Sequence, residues 1–291
     1  MKAFAAFILR GPLQAGGVVL AASLLPLLSI IGTAALALVT LRQGLQQGAL
    51  VAAMAGAALY ALMLGAMGTG EPALRLMAEQ WLPALLLAEW LRRSVSLPQT
   101  LMVWTALGAV AVAGFYLVVP EPAAYWEGVI RDFLAMAGGE AELGPEAREV
   151  LERDILPFMT GLWAVNHMFV VLGGLLIARS LQALLYNPGG LRAELHGLDL
   201  GREVALGALA LWVGGLLTGP GVVADLAMVT GAAFLVQGIT LAHVLVASRG
   251  ASGAWLVPAY VLAPLLFRPL ALVGIGDALF QWRRRLAAGG S

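Results

Sequence analysis

The sequence predicts an all-α, polytopic membrane protein of about eight transmembrane helices with one extramembrane helical hairpin. Three observations carry this reading. First, 60% of the residues are hydrophobic and only 12% are charged, about half the charge of an ordinary soluble domain. Second, apolar runs near 20 residues recur along the chain, the length that crosses a hydrocarbon layer of about 30 Å as a helix. Third, the charges are gathered. The stretch Pro120–Pro157 holds twelve of the 34 charged residues, nine acidic and three basic, so it carries −6 and the remainder +6. The chain therefore reads as an N-terminal membrane half (1–119), an acidic helical insert (120–157) and a C-terminal membrane half (158–291).

Leu13–Leu41 is one apolar run between Arg10 and Arg42. As a helix it would be about 43 Å long, too long for one straight span and too short for two. Pro26, Ser29 and Gly32 break it near the middle. The alternatives are a span followed by a short or re-entrant helix ending at Arg42, and a single tilted, kinked helix. The run exceeds the apolar core of a cleavable signal, so a retained span with a cytoplasmic N-terminus is expected. Leu45–Met67 is the next span. Gly44, Gly48, Ala52 and Gly56 form a row of small residues along it, a spacing that lets helices approach closely. Glu71–Gln80 is a polar hinge or interfacial helix. Trp81–Trp90 is a short apolar segment before Arg92–Arg93, with Glu89 placed for an interfacial ion pair. Leu101–Val119 is a clear span.

Within the insert, Ala123–Ala137 is amphipathic. Trp126, Val129 and Phe133 fall on one helical face, and Glu127 precedes Arg131 by the stabilising four residues. Gly138–Gly139 should end this helix, and Pro145 suits the first turn of a second. The acidic hairpin is expected on the outer face, since the basic residues collect in the other loops.

After the insert, Phe158–Tyr186, Val204–Leu217 and Val222–Val246 read as spans, separated by Asn187–Pro188–Gly189–Gly190 and Thr218–Gly219–Pro220–Gly221 turns. The last run, Trp255–Trp282, is interrupted by Pro258, Pro264 and Pro269 and ends in Arg283–Arg284–Arg285. Placing Arg42, Arg92–Arg93, Arg192–Arg202 and Arg249 inside obeys the positive-inside rule. One straight final span would then put three arginines outside. A broken hairpin turning near Arg268, or a span followed by an interfacial helix, avoids that and leaves the C-terminus cytoplasmic.

Polar groups inside apolar spans are costly and so mark sites by default. They are Asn166, His167, Asp225, Gln237, His243, Arg268 and Asp277. Trp163, Asn166 and His167 share one face and, with Gln237, would line a small-molecule pocket; interhelical hydrogen bonding is the alternative role for these groups. Asp225, beside the Gly219–Gly221 turn, reads as interfacial. His167, His196 and His243 have no metal-ligand spacing, and the chain has no cysteine. No phosphate loop, zinc-protease or hydrolase signature occurs, nothing calls for a cofactor, and the basic stretches are topology signals rather than a nucleic-acid surface.

Val39–Thr40–Leu41–Arg42–Gln43–Gly44, Gln237–Gly238 with His243, and Gly276–Asp277 through Gln281–Trp282–Arg283–Arg284–Arg285 occur in an order that resembles the YybS-like family of bacterial membrane proteins, a domain of unknown function. That family is distantly similar to the substrate-binding components of energy-coupling-factor vitamin transporters. The resemblance implies a bacterial inner-membrane subunit that captures a small molecule and is driven by a separate ATPase and coupling module. Gly17 and Ala21 match the small-residue face that such components carry on the first span. The expected function is therefore non-enzymatic binding or transport of a small molecule. The alternative is a membrane scaffold that docks a partner protein through Trp126, Val129 and Phe133 of the insert.

Overall fold

The computed structural model describes residues 1–25, 28–136 and 144–288. Among them every regular element is helical. In chain order these are α1 (Lys2–Ile8), α2 (Pro12–Ser23), α3 (Ser29–Gln43), α4 (Leu45–Met67), α5 (Glu71–Leu76), α6 (Leu82–Ser94), α7 (Leu97–Val118) and α8 (Pro122–Met136). There follow α9 (Pro145–Val150), α10 (Met159–Tyr186), α11 (Gly190–His196), α12 (Arg202–Thr218), α13 (Val222–Ser248), α14 (Leu256–Leu262), α15 (Phe267–Phe280) and α16 (Trp282–Ala288). Four helical runs among the described residues are long and apolar enough to cross a membrane: Leu45–Met67, Leu97–Val118, Glu146–Tyr186 and Val222–Ser248. A fifth is added if α1 and α2, bent at 112°, form one broken span. The chain forms two compact units, Met1–Trp104 with His167–Leu198, and Thr105–Asn166 with Asp199–Ser291.

The centre of the first unit is α3, with eleven of its fifteen residues buried. It rises only about 22 Å, and its Ala, Leu and Val side chains are covered by α2, α4 and α6. The run Leu13–Leu41 is thus two helices, the first of the two alternatives, and not a single kinked one; Pro26, expected at the break, lies outside the described residues. The buried hydroxyls of Thr33 and Thr40 donate to the carbonyls of Ser29 at 3.0 Å and Leu36 at 2.9 Å, which satisfies them without leaving the helix. Gly44, at φ +90°, turns the chain straight into α4, a conformation that costs a glycine little. The small-residue row is a true seam. A Cβ at Gly48 would meet Leu85 Cδ2 at 2.8 Å, and one at Gly56 would meet Met77 Sδ at 2.7 Å. Between α5 and α6 a π turn, Met77–Trp81, carries Trp81 into the core.

At one end of this unit the basic residues meet. Arg42 lies 3.7 Å from the centre of the Tyr186 ring, and Arg179 pairs with Glu194. The side chain of Arg92, beside Gly44, donates to Glu89 at 2.8 Å, and Arg93 donates to it at 2.5 Å. Glu89 is only 7% exposed. The two guanidinium groups satisfy both oxygens of this buried carboxyl.

In the second unit, α8 covers the amphipathic stretch of the insert within one residue of its expected bounds. Gly138–Gly139, expected to end it, lies outside the described residues. The second helix of the insert begins at Pro145 as expected, but runs on without a break. Glu146–Tyr186 is one helical run of 41 residues, about 62 Å by its rise and twice what a bilayer needs.

The C-terminal helices bring the final arginines to the end of the unit that holds Arg202 and Arg249. Gly231 on α13 lies against Phe267 at the start of α15, Gly238 against Leu270 and Gly274, and Gln237 against Asp277. The contacts advance together, so α13 and α15 are parallel. Between them the chain returns through α14, held to α13 by the 2.7 Å hydrogen bond of His243 Nε2 with the Tyr260 hydroxyl. Helix α12 is antiparallel to α13, with Gly215 against Ala224 and the Leu200 amide donating to Gln237 at 3.0 Å. Arg202, Arg249 and Arg283–Arg285 consequently share one end of the unit. The break expected near Arg268 falls at Ala263–Leu266, where Pro264 lacks the amide needed to continue α14.

Candidate functional site

The end of α13 away from Arg249 holds one buried carboxylate. Asp225, in the first turn of α13, is 0% exposed. Its Oδ2 accepts a 2.9 Å hydrogen bond from the Tyr116 hydroxyl of α7. Its Oδ1 lies against Gly161 of α10, where an added Cβ would stand 2.6 Å away. Only a glycine lets the two helices close on this oxygen. Asp225 is therefore a core group and not the interfacial one its place beside a turn predicts. The signal that marks it in the sequence is an acid inside an apolar helix; Tyr116, an aromatic in a span, carries no such mark.

Beside it stands an aromatic cluster. The Trp126 indole donates to Thr160 Oγ1 at 2.9 Å and stacks on Phe115 with centroids 5.4 Å apart. Trp163 is tilted against both, at 6.0 and 6.3 Å. Trp126 is thus turned inward, whereas Phe133, on the same face of α8, is 65% exposed and Val129 is partly so.

Between α12, α13 and α15, and bounded also by Phe158, lies a groove of about 580 Å³, within the usual range of ligand sites, about 300–1,000 Å³. Trp212, Leu216, Ala224, Met228 and Phe267 form much of its wall. Trp212 offers the groove only its ring, because its N–H donates to the Ala227 carbonyl at 2.8 Å. One charged residue, Arg268, is among the lining. It is exposed, and among the described residues it has no hydrogen-bond or ion-pair partner.

Gln237 lies 12 residues along α13 from Asp225, about 18 Å, and belongs to a different cluster. Its Oε1 accepts from the Leu200 amide, and its Nε2 donates to Asp277 Oδ2 at 2.9 Å. Asp277 also accepts from the Arg283 backbone at 3.0 Å and from Arg283 Nε at 2.6 Å. Both amide groups of Gln237 are occupied in joining α12, α13, α15 and α16. His167 belongs to the first unit and pairs with Glu79 of the π turn at 2.9 Å; Asn166 is exposed. Trp163 thus stands with Phe115 and Trp126, His167 with Glu79, and Gln237 with Leu200 and Asp277. Among the described residues no three His, Asp or Glu gather as a metal site.

No protein-family model, curated protein or solved structure matches the chain. The class that fold and site define is an all-helical protein with membrane-length apolar helices and an apolar groove at one end of its C-terminal helices.

Proposed function

We propose that the protein is an integral protein of the bacterial inner membrane that binds an apolar or amphiphilic small molecule in the groove between α12, α13 and α15. The observation that carries this reading is the groove itself: ligand-sized, apolar, and formed in part by α13, a helix long and apolar enough to cross a membrane. In this reading about eight segments cross the bilayer. They are the four long helices and the shorter α3, α6, α12 and α15, and the short α2 and α14 carry the chain back across to the side from which α3 and α15 start. The shared basic end of α12, α13 and α15 is cytoplasmic by the positive-inside rule, as is the N-terminus, and the groove then opens in the outer half of the membrane. The resemblance to the YybS-like family, and through it to transporter substrate-binding components, is in keeping with capture of a small molecule. A separate ATPase and coupling module would drive any translocation.

A neutral dansyl-labelled alkyl amide is a direct probe. Its fluorescence should rise on binding to the purified protein in nonionic detergent. V213W/L216W places two indoles on exposed lining positions and should weaken that binding at least about tenfold, the scale of one lost apolar contact area. Unchanged affinity in this variant would remove the groove as the site. A second reading, a scaffold that docks a partner protein, rests on Phe133 and Val129, the outward residues of α8. An F133D change that releases a co-purifying protein while leaving probe binding intact would favour it.

A further inference from the structure

We infer that the groove takes an anionic phospholipid, with an acyl chain along Trp212, Leu216 and Met228 and the head-group phosphate on Arg268. This inference rests on the groove being a ligand site. Three features of the same place support the ligand class. The wall is apolar along its length, which suits a hydrocarbon chain. Its single charge is a guanidinium, whose planar fork of donors matches phosphate oxygens. That guanidinium has no protein partner among the described residues, although it stands among exposed Leu265, Leu266 and Leu272. An arginine in apolar surroundings is costly unless an anion meets it. Asp225, adjacent in sequence to Ala224 of the groove wall, does not serve as that anion; its carboxylate is directed to Tyr116 and Gly161. A neutral lipid would fill the apolar wall equally well but would leave Arg268 unmet.

The test is native mass spectrometry of the purified full chain with dioleoyl phosphatidylglycerol and dioleoyl phosphatidylcholine. The parent should retain phosphatidylglycerol about fivefold better, the preference expected of one arginine near an acidic head group. R268Q should lose the preference, and R268K should keep part of it. Equal retention of the two lipids by the parent, or a preference undiminished in R268Q, would overturn the inference. Release of phosphatidylglycerol by equimolar inorganic phosphate would overturn it as well, since the head group alone would then be the ligand. If the dansyl probe binds and the lipids are not distinguished, only the ligand class is wrong. If V213W/L216W leaves the binding of both probe and lipids unchanged, the groove reading itself fails.

Discussion

D277A is expected to lower the stability of the purified protein by about 3–5 kcal/mol, the cost of removing one partner from a buried ion pair. Asp277 accepts from Gln237, from the Arg283 backbone and from the Arg283 guanidinium, and Arg283 is itself only 7% exposed. Alanine leaves a buried cation and a buried amide without their acceptor, and each of those costs more than the hydrogen bond contributes. The double variant D277A/R283M should recover most of the loss, because replacing both members of a buried pair by apolar groups is often close to neutral. Thermal unfolding in detergent reads both effects. A D277A midpoint within a degree of the parent would mean that this cluster does not hold α16 against α13 and α15.

G274V is the second large effect expected. At Gly274 the backbones of α13 and α15 are in contact, and a Cβ there would stand 2.9 Å from the Gly238 nitrogen and closer still to the Phe234 carbonyl oxygen. No rotamer change relieves a clash with backbone atoms, so the helices must separate. Overpacking of this kind costs about 1–3 kcal/mol or more, and the separation would also pull Gln237 from Asp277. G65V is the control, since a Cβ at Gly65 meets nothing within 4 Å. A G274V protein as stable as G65V would contradict the parallel packing described.

The long apolar helices were legible in the sequence because hydropathy and length act locally. Leu45–Met67 has the same bounds in the sequence and in the structure, and the proline-marked break of the last run lies where α14 stops. What was not legible depends on distant partners. Nothing local shows that α3 is enclosed and α4 partly outward, because both are apolar throughout. Gln237 looks like a free amide until Asp277, forty residues on, is placed beside it. Tyr116 and Gly161 gain their meaning only from Asp225. Trp126, Val129 and Phe133 share a helical stripe, yet only packing on Phe115 and Thr160 turns the first of them inward.

In the proposed arrangement the chain crosses a membrane with the basic ends of α13 and α15 on one side and the Thr218–Gly221 turn on the other. The absence of cysteine makes single-cysteine labelling free of background. With a membrane-impermeant maleimide on oriented vesicles, S252C and R284C should label from the same side and T218C from the opposite side. Labelling of S252C and R284C from opposite sides would contradict the parallel arrangement, and labelling of all three from both sides would contradict a membrane-spanning fold.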